Sequence, residues 1–294
     1  MSDFTPAEKA ACMHLINLAL AEDLGPGASI AGDVTSVRFI SPEANGRATF
    51  VARRPGVLAG LEAAELVCQN VGPTVQFRRY ARDGDVLSVG TRIAGVSGPM
   101  RPILAAERTA LNFLQHLSGI ATLTRAYVQA VAGLPGKILD TRKTIPGWRL
   151  LAKYAVRQGG GQNHRMGLFD GVLIKDNHWH TLPAQRDFAG WFQALREGRP
   201  GLPIEIEVES LGQLDEVLPA RPDIVLLDNM STDQLRAAVA RRNALAPAVL
   251  LEASGGIELQ SVRTIAETGV DRISVGALTH SAPALDIALD YETS

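Results

Sequence analysis

From about residue 136 onward, short apolar segments alternate with segments that have the pattern of amphipathic helices. The apolar segments lie at 137–143 (KILDTRK), 171–176 (GVLIKD), 203–210 (PIEIEVES), 223–229 (DIVLLDN), 248–256 (AVLLEASGG) and 271–277 (DRISVGA). Apolar strands separated by helices predict a parallel sheet with both faces covered. The short, regular spacing of the later strands favours a β/α barrel. A complete barrel has eight strands, so the six segments predict an incomplete one.

Almost every predicted strand ends in a charged residue. These residues are Asp140 with Arg142 and Lys143, then Lys175, Glu207, Asp228 and Glu252. In a parallel β/α barrel the carboxyl ends of the strands open at one mouth, where the active site lies. The sequence therefore predicts a charged active site at the mouth of the barrel.

The chain before this region has a different pattern. Residues 6–24 predict an amphipathic helix, and 46–60 predict a β-hairpin. Two further helical patterns, 100–117 and 119–132, are separated at Gly119. This part of the chain is therefore expected to form a mixed α/β region of its own.

Composition narrows the class of protein. The formal net charge of −2 gives no overall attraction to nucleic acid or to an anionic membrane. Cys12 and Cys68 have neither close pairing nor metal-ligand spacing, which fits a reducing cytoplasm. The N-terminus lacks the pattern of a signal peptide, and no apolar run has the length of a membrane span. We therefore expect a cytoplasmic protein that binds neither nucleic acid nor membranes.

The segment 140–165 is strongly basic. Three of its residues fit a solvated helical face, namely Arg149, Lys153 and Arg157. The pairs Arg142-Lys143 and His164-Arg165 instead follow a predicted strand and a triple glycine, where the backbone can approach a ligand closely. Clustered arginine, lysine and histidine at a barrel mouth predict a ligand with several negative groups, such as phosphates or a dicarboxylate.

Carboxylates are also expected at the mouth. Alternation along the strand places Glu205, Glu207 and Glu209 on one face. Burying all three is costly, so at least one should lie beyond the strand end or be paired. Asp228 follows an apolar run of residues at the end of its predicted strand, so it should project into the mouth of the barrel. Two carboxylates near phosphates suggest Mg²⁺, while an alternative is that they form salt bridges with nearby lysines.

Glycine-bearing loops follow the last two predicted strands, in EASGGIE (252–258) and SVGALTH (274–280). The corresponding loops of many β/α barrels bind a phosphate group through backbone N–H groups and a helix N-terminus. From the residues alone, the sequence predicts a barrel enzyme that acts on a phosphorylated, strongly anionic substrate with Mg²⁺.

The sequence resembles the quinolinate phosphoribosyltransferase family. The matching segments are ERTALNFLQHLSGIAT (107–122), DTRKTIPGWR (140–149), KYAVRQGGGQNHR (153–165), LIKDNH (173–178), EVESL (207–211), LLDNM (226–230), EASGGI (252–257) and VGALTHSAPALDIALD (275–290), with a weaker match at GDVTS (32–36). The resemblance implies an N-terminal α/β sandwich domain over residues 1–115, joined by the C-terminal residues 278–294. It implies an open β/α barrel over 116–277.

The family also implies a reaction. Quinolinate and phosphoribosyl pyrophosphate would give nicotinate mononucleotide, pyrophosphate and CO₂, with Mg²⁺ held by Glu207 and Asp228. The implied catalytic residues are Lys143, Lys175, Glu207 and Asp228. The implied substrate-binding residues are Arg108, Thr141, Arg142, His164, Arg165, Ser254, Gly255, Gly256, Gly276 and His280. The resemblance further implies a homodimer in which Arg108 reaches the active site of the partner subunit, and it leaves open whether dimers assemble further.

Three alternatives remain open at this stage. A related phosphoribosyltransferase would act on nicotinate or another base. A barrel aldolase would use Lys175 as a Schiff-base nucleophile. A sensor without activity would keep the fold, although the presence of Lys175, Glu207 and Asp228 argues against it.

Overall fold

A computed structural model of the chain describes residues 4–183 and 185–292. It divides into two compact units. The first comprises the described residues of Met1–Arg125, Thr144–Gly160 and Leu278–Ser294, and the second those of Ala126–Lys143 and Gly161–Ala277. Residues 144–160 group with the first unit, although we expected them in the barrel domain. The expected boundaries themselves stay a prediction, and their outermost residues, 1–3 and 293–294, lie outside the described residues.

The elements are numbered here in chain order. The helices are α1 (Pro6–Leu24), α2 (Val34–Phe39), α3 (Leu61–Val71), α4 (Met100–Ala130), α5 (Arg149–Gln158), α6 (Asp176–Trp179), α7 (Phe188–Gly198), α8 (Leu211–Val217), α9 (Thr232–Leu245), α10 (Val262–Ala266) and α11 (Ala277–His280). The strands are β1 (Asn45–Ala52), β2 (Gly56–Val57), β3 (Gln76–Arg79), β4 (Val86–Leu87), β5 (Arg92–Pro99), β6 (Lys137–Leu139), β7 (Val172–Ile174), β8 (Ile204–Val208), β9 (Ile224–Asp228), β10 (Leu250–Ser254), β11 (Arg272–Ser274) and β12 (Ile287–Tyr291).

The second unit contains a six-stranded parallel sheet in the order β6-β11-β10-β9-β8-β7. Each segment predicted as a barrel strand contains one of these strands. Strand β6, the first of these six in the sequence, pairs with β11, the last of them, and Ile138 lies opposite Ile273. In the described residues β6 and β7 do not pair, and a bridge from Leu139 to Gln162 lies beside β6. The predicted incomplete barrel is therefore confirmed.

In strand β8, charged and apolar side chains alternate, so that buried carboxylates lie on one face of the strand. All five of its residues are buried, with Ile206 and Val208 on one face and Glu205 and Glu207 on the other. Glu209 follows the end of the strand and is exposed. Of the three carboxylates in the segment, one therefore lies beyond the strand, and the two buried ones have cationic or imidazole partners.

The first unit contains a four-stranded antiparallel sheet in the order β12-β1-β5-β3. Its edge strand β12 comes from the end of the chain, and Leu289 pairs with Phe50 of β1. Helix α1 has the predicted bounds because Thr5 and Glu8 form a capping box at its start. It ends at Gly25, whose φ of +83° suits glycine.

Two local predictions in this unit are wrong. Residues 46–60 do not form a hairpin, because β1 pairs with β5 and β12 while β2 pairs with β4. Gly119 does not divide two helices, because α4 continues through it. A side chain at Gly119 would lie 2.1 Å from the backbone oxygen of Pro283, so this glycine permits a close approach of the chain.

The described residues include no helix that is both long enough and apolar enough to cross a membrane.

Candidate active site

A cleft of about 470 Å³ lies at the carboxyl ends of the strands of the parallel sheet. It is lined by Thr141, Arg142, Lys143, His164, Arg165, Leu173, Lys175, Asp176, Glu207, Leu226, Asp228, Ser254 and Ser274. All of these residues belong to the second unit; strands β7 to β11 each contribute to the lining, and the turn after β6 contributes Thr141, Arg142 and Lys143. The cleft thus brings together nine of the residues that the sequence assigned to an active site.

Two guanidinium groups form the cationic part of the cleft. Burial and the nearby Arg142 guanidinium lower the pKa of Arg165, in that order of influence. The Nη1 of Arg165 donates to the carbonyl oxygen of Gly171 at 2.9 Å, while its buried Nε has no partner in the described part of the chain. Like charges held together in a partly buried site cost free energy that a bound anion offsets. The pair is therefore suited to a ligand with more than one carboxylate or phosphate.

Two carboxylates form the anionic part. Burial is the largest influence on Glu207 and raises its pKa, Asp228 raises it further, and Lys175 opposes both. The Nζ of Lys175 lies 3.3 Å from Oε2 of Glu207, so the salt bridge considered for Lys175 is present. Asp228 accepts a hydrogen bond from Nδ2 of Asn229 at 2.7 Å. Two neighbouring carboxylates at the edge of an open cleft offer the oxygen ligands that Mg²⁺ prefers.

The turn after β6 presents Lys143 to the cleft. The backbone N–H of Lys143 donates to Oγ1 of Thr141 at 3.0 Å, and the lysine is exposed. This local hydrogen bond orders the turn from which the Lys143 side chain extends into the cleft.

A backbone hydrogen bond joins the loop after β9 to the end of β10. Asn229, with a φ of +52°, donates its backbone N–H to the oxygen of Ser254 at 2.9 Å. Gly255 has a φ of +95°, and a Cβ there would lie 2.1 Å from Oδ1 of Asn229. Gly256 also has a positive φ, and Gly276 follows β11. Ser254 thus lies in the cleft, and the adjacent backbone bends in a way that only glycine permits easily.

Replacing Gly255 by alanine should therefore destabilise the protein. The strained φ and the clash with Asn229 are expected to cost about 2 kcal/mol, which lowers the Tm by about 5 °C. Thermal unfolding followed by circular dichroism would measure this. Gly212 in α8 is the control, because its Cβ position is open and alanine favours a helix. A Tm for Gly255→Ala equal to that of Gly212→Ala would contradict the prediction.

The remaining predicted site residues, Arg108 and His280, belong to the first unit. Arg108 is exposed on α4, and His280 is exposed on α11 with its Nδ1 2.6 Å from Oγ of Ser281. Their roles stay predictions.

Several buried polar residues behind the cleft were given no role by the sequence. Asp140 is fully buried and accepts hydrogen bonds from Nδ2 of Asn163 at 2.6 Å and from the backbone N–H of His164 at 2.9 Å. Glu205 and Glu252 are buried beside the His164 ring. The alternation in 203–210 and the charged strand ends marked these positions, but only the three-dimensional structure shows that they support His164.

The fold and the cleft define a barrel enzyme for a strongly anionic substrate. Comparison with known proteins makes this more specific. The family model for the N-terminal domain of quinolinate phosphoribosyl transferase matches residues 33–118, and that for its C-terminal domain matches residues 120–290. The chain belongs to the quinolinate phosphoribosyl transferase family.

Individual relatives agree with this assignment. The chain is 46% identical over 282 residues to the nicotinate-nucleotide pyrophosphorylase (carboxylating) of Mycobacterium leprae, covering 95% of this chain and 97% of that protein. It is 40% identical to the probable enzyme of the same name from Bacillus subtilis, with 95% and 93% covered. The solved structure of the nicotinate-nucleotide pyrophosphorylase from Francisella tularensis superposes with a TM-score of 0.89 at 37% identity, covering 99% and 98%.

Proposed function

We propose that this chain transfers the phosphoribosyl group of phosphoribosyl pyrophosphate to quinolinate and releases CO₂. The products are nicotinate mononucleotide, pyrophosphate and CO₂, so the enzyme supplies the de novo route to NAD. This proposal rests on one observation. The same cleft holds an arginine pair, Arg142 and Arg165, and a carboxylate pair, Glu207 and Asp228, with Lys175 beside the carboxylates.

The arginine pair is proposed to bind the two carboxylates of quinolinate. Arg142 and Arg165 each present a planar group of donors that matches a carboxylate, and His164, Thr141 and Lys175 line the same cleft. Leu173 and Leu226 provide apolar surface against which an aromatic ring can lie. A monocarboxylate such as nicotinate would engage only one of the two guanidinium groups, which disfavours the closest alternative.

The carboxylate pair is proposed to act on the phosphoribosyl group. As pyrophosphate leaves, positive charge develops at C1 of the ribose, and Glu207 and Asp228 stabilise it electrostatically. The same two residues would hold Mg²⁺, which, when bound, neutralises charge on the pyrophosphate. Lys143, which lines the same cleft, is proposed to contact the departing pyrophosphate. Ser254, Gly255, Gly256, Gly276 and His280 are proposed to bind the 5-phosphate.

Decarboxylation needs little from the protein. Once the ring nitrogen carries the ribose it is cationic, so the bond from C2 to its carboxylate breaks with its electron pair retained at C2. CO₂ leaves and C2 takes up a proton. The protein has only to hold the carboxylate away from water. An aldolase would need a free amine at Lys175, whereas this lysine is in an ion pair with Glu207.

A product assay tests the proposal. The purified protein would be incubated with Mg²⁺, phosphoribosyl pyrophosphate and either quinolinate or nicotinate, and mononucleotide and CO₂ would be followed by mass spectrometry. We expect nicotinate mononucleotide and CO₂ from quinolinate alone, and no product after chelation of Mg²⁺. Turnover of nicotinate without quinolinate would contradict the role given to the arginine pair.

We also propose a homodimer in which Arg108 completes the active site of the partner subunit. Chains with Arg108→Ala and chains with Asp228→Asn are each expected to be inactive alone. If sites are shared, co-expression of the two should restore about a quarter of the wild-type activity. In such heterodimers one site carries neither substitution. The control combines Lys175→Ala with Asp228→Asn, both in the barrel, which leaves every site with a substitution. No recovery in the first mixture would contradict a shared site.

The compartment is proposed to be the cytoplasm. Cys12 and Cys68 are both buried and free, which suits a reducing environment.

A further inference from the structure

A buried polar cluster lies behind the proposed arginine pair. The Nε2 of His164 is 3.1 Å from Oε2 of Glu205 and 3.4 Å from Oε1 of Glu252. Glu252 is fully buried, and its Oε2 accepts a hydrogen bond from Nε of Arg272 at 2.6 Å. Strands β8 and β10 thus each place a carboxylate at the imidazole ring, and β11 supplies the arginine that holds one of these carboxylates.

The opposite side of the ring is also engaged. The backbone N–H of Arg165 donates to Nδ1 of His164 at 2.8 Å, so Nδ1 must present its lone pair. Burial lowers the pKa of His164, but Glu205 and Glu252 outweigh burial and raise it to about 9. A doubly protonated ring and the Arg165 hydrogen bond exclude each other. We assign a proton to Nε2, because both carboxylates face that atom, while Nδ1 accepts from Arg165.

This arrangement determines where Arg165 lies. The backbone of His164 donates to Asp140, and the ring accepts from the backbone of Arg165, so both peptide groups are fixed. Farther along, Nη1 of Arg165 is held by the oxygen of Gly171. The guanidinium group, whose Nε has no hydrogen-bond partner in the described residues, therefore extends from a backbone whose position depends on the His164 ring.

The three groups His164, Glu205 and Glu252 also lie within 4.8 Å of one another, as metal ligands would. The partners of these groups argue against a metal. Glu252 is already paired with the Arg272 guanidinium, and a metal at this point would have to displace the proton that Nε2 of His164 directs at the two carboxylates. Arg272 also occupies one oxygen of Glu252 and places a positive charge beside any site for a cation.

We propose that Glu252 is a positioning residue for substrate binding: held by Arg272, it fixes the His164 ring, and the ring fixes the Arg165 guanidinium against a carboxylate of the substrate. This inference rests on the proposed function of Arg165. A misplacement of about 1 Å in such a group is enough to reduce binding or turnover strongly. Glu252 itself does not line the cleft, so its effect passes through His164.

The test compares Glu252→Gln with Glu252→Ala by steady-state kinetics. We expect the KM for quinolinate to rise about tenfold or more in Glu252→Ala, with the KM for phosphoribosyl pyrophosphate unchanged. Glutamine keeps an oxygen acceptor for the ring and should restore much of the loss. Glu267→Gln, on the exposed end of α10, is the matched control and should change neither KM. Equal changes in both KM values would overturn the proposal.

Nitrogen-15 NMR of the wild-type ring tests the same inference without substrate. The His164 signals, assigned by their loss in His164→Asn, should show protonated Nε2 and unprotonated Nδ1 at neutral pH. A protonated Nδ1, in either the reverse tautomer or the doubly protonated ring, would overturn the proposal, and so would one tightly bound zinc ion per chain. Because this readout involves no turnover, it separates failure of the positioning role from failure of the proposed function, which the product assay detects. If Glu252→Ala does not fold, Arg272→Gln disturbs the same contact from the other side and should raise the same KM.

Discussion

Asp228→Asn should lower kcat about 100- to 1000-fold while the KM for quinolinate stays near its wild-type value. The substitution keeps the size of the side chain and removes the charge that faces the developing cation at the ribose. It also removes one of the two proposed Mg²⁺ ligands. Quinolinate binding depends on the arginine pair, which the substitution leaves in place. Steady-state kinetics with each substrate varied separately would measure both parameters.

The control is Asp233→Asn, which makes the same change at a carboxylate on α9 whose side chain is 93% exposed. It should leave kcat unchanged. If Asp228→Asn raised only the KM for phosphoribosyl pyrophosphate and kept kcat, Asp228 would contribute to ground-state binding alone and not to the stabilisation of charge at the ribose.

Arg142→Gln should raise the KM for quinolinate about 100-fold, because one carboxylate would lose a charged, partly buried partner. The KM for phosphoribosyl pyrophosphate should change little. Burial is the largest cause of the lowered pKa of Arg165, and removing Arg142 removes only the additional repulsion, so the remaining guanidinium stays charged. The difference between the two KM values distinguishes a substrate contact from a general loss of stability.

Arg241→Gln serves as the matched control, because Arg241 forms an ion pair with Asp215 on the surface. Exposed pairs of this kind contribute little, and both KM values should be unchanged. An equal rise of both KM values in Arg142→Gln, or a fall in Tm large enough to unfold the protein at the assay temperature, would contradict the proposed contact.

The barrel strands and the mouth of the barrel were predictable because their pattern is local. A strand buried on both faces needs an uninterrupted apolar run, and a side chain at its carboxyl end reaches the mouth whatever its neighbours are. Lys175, Glu207 and Asp228 were identified in this way, and the structure places them in one cleft.

What could not be predicted depends on partners that are distant in sequence. Strand β1 pairs with β12 at the other end of the chain, and no local pattern distinguishes this from a hairpin. Gly119 resembles a helix break, but it permits close approach of residue 283. The role of Glu252 depends on Arg272 and His164, which come from a different strand and a loop. In each case the missing information is which segments meet.

Pairing of β6 with β11 and of β1 with β12 has a consequence for biosynthesis. The parallel sheet needs residues near 137 and near 273, and the antiparallel sheet needs residues near 50 and near 289. The parallel sheet cannot acquire all its strands until the ribosome has passed residue 273, and the antiparallel sheet until it has passed residue 289. Contacts of such long sequence separation slow folding and leave strand edges open meanwhile. The growing chain is therefore exposed to aggregation until these strands emerge, and chaperones that shield strand edges would act in that interval.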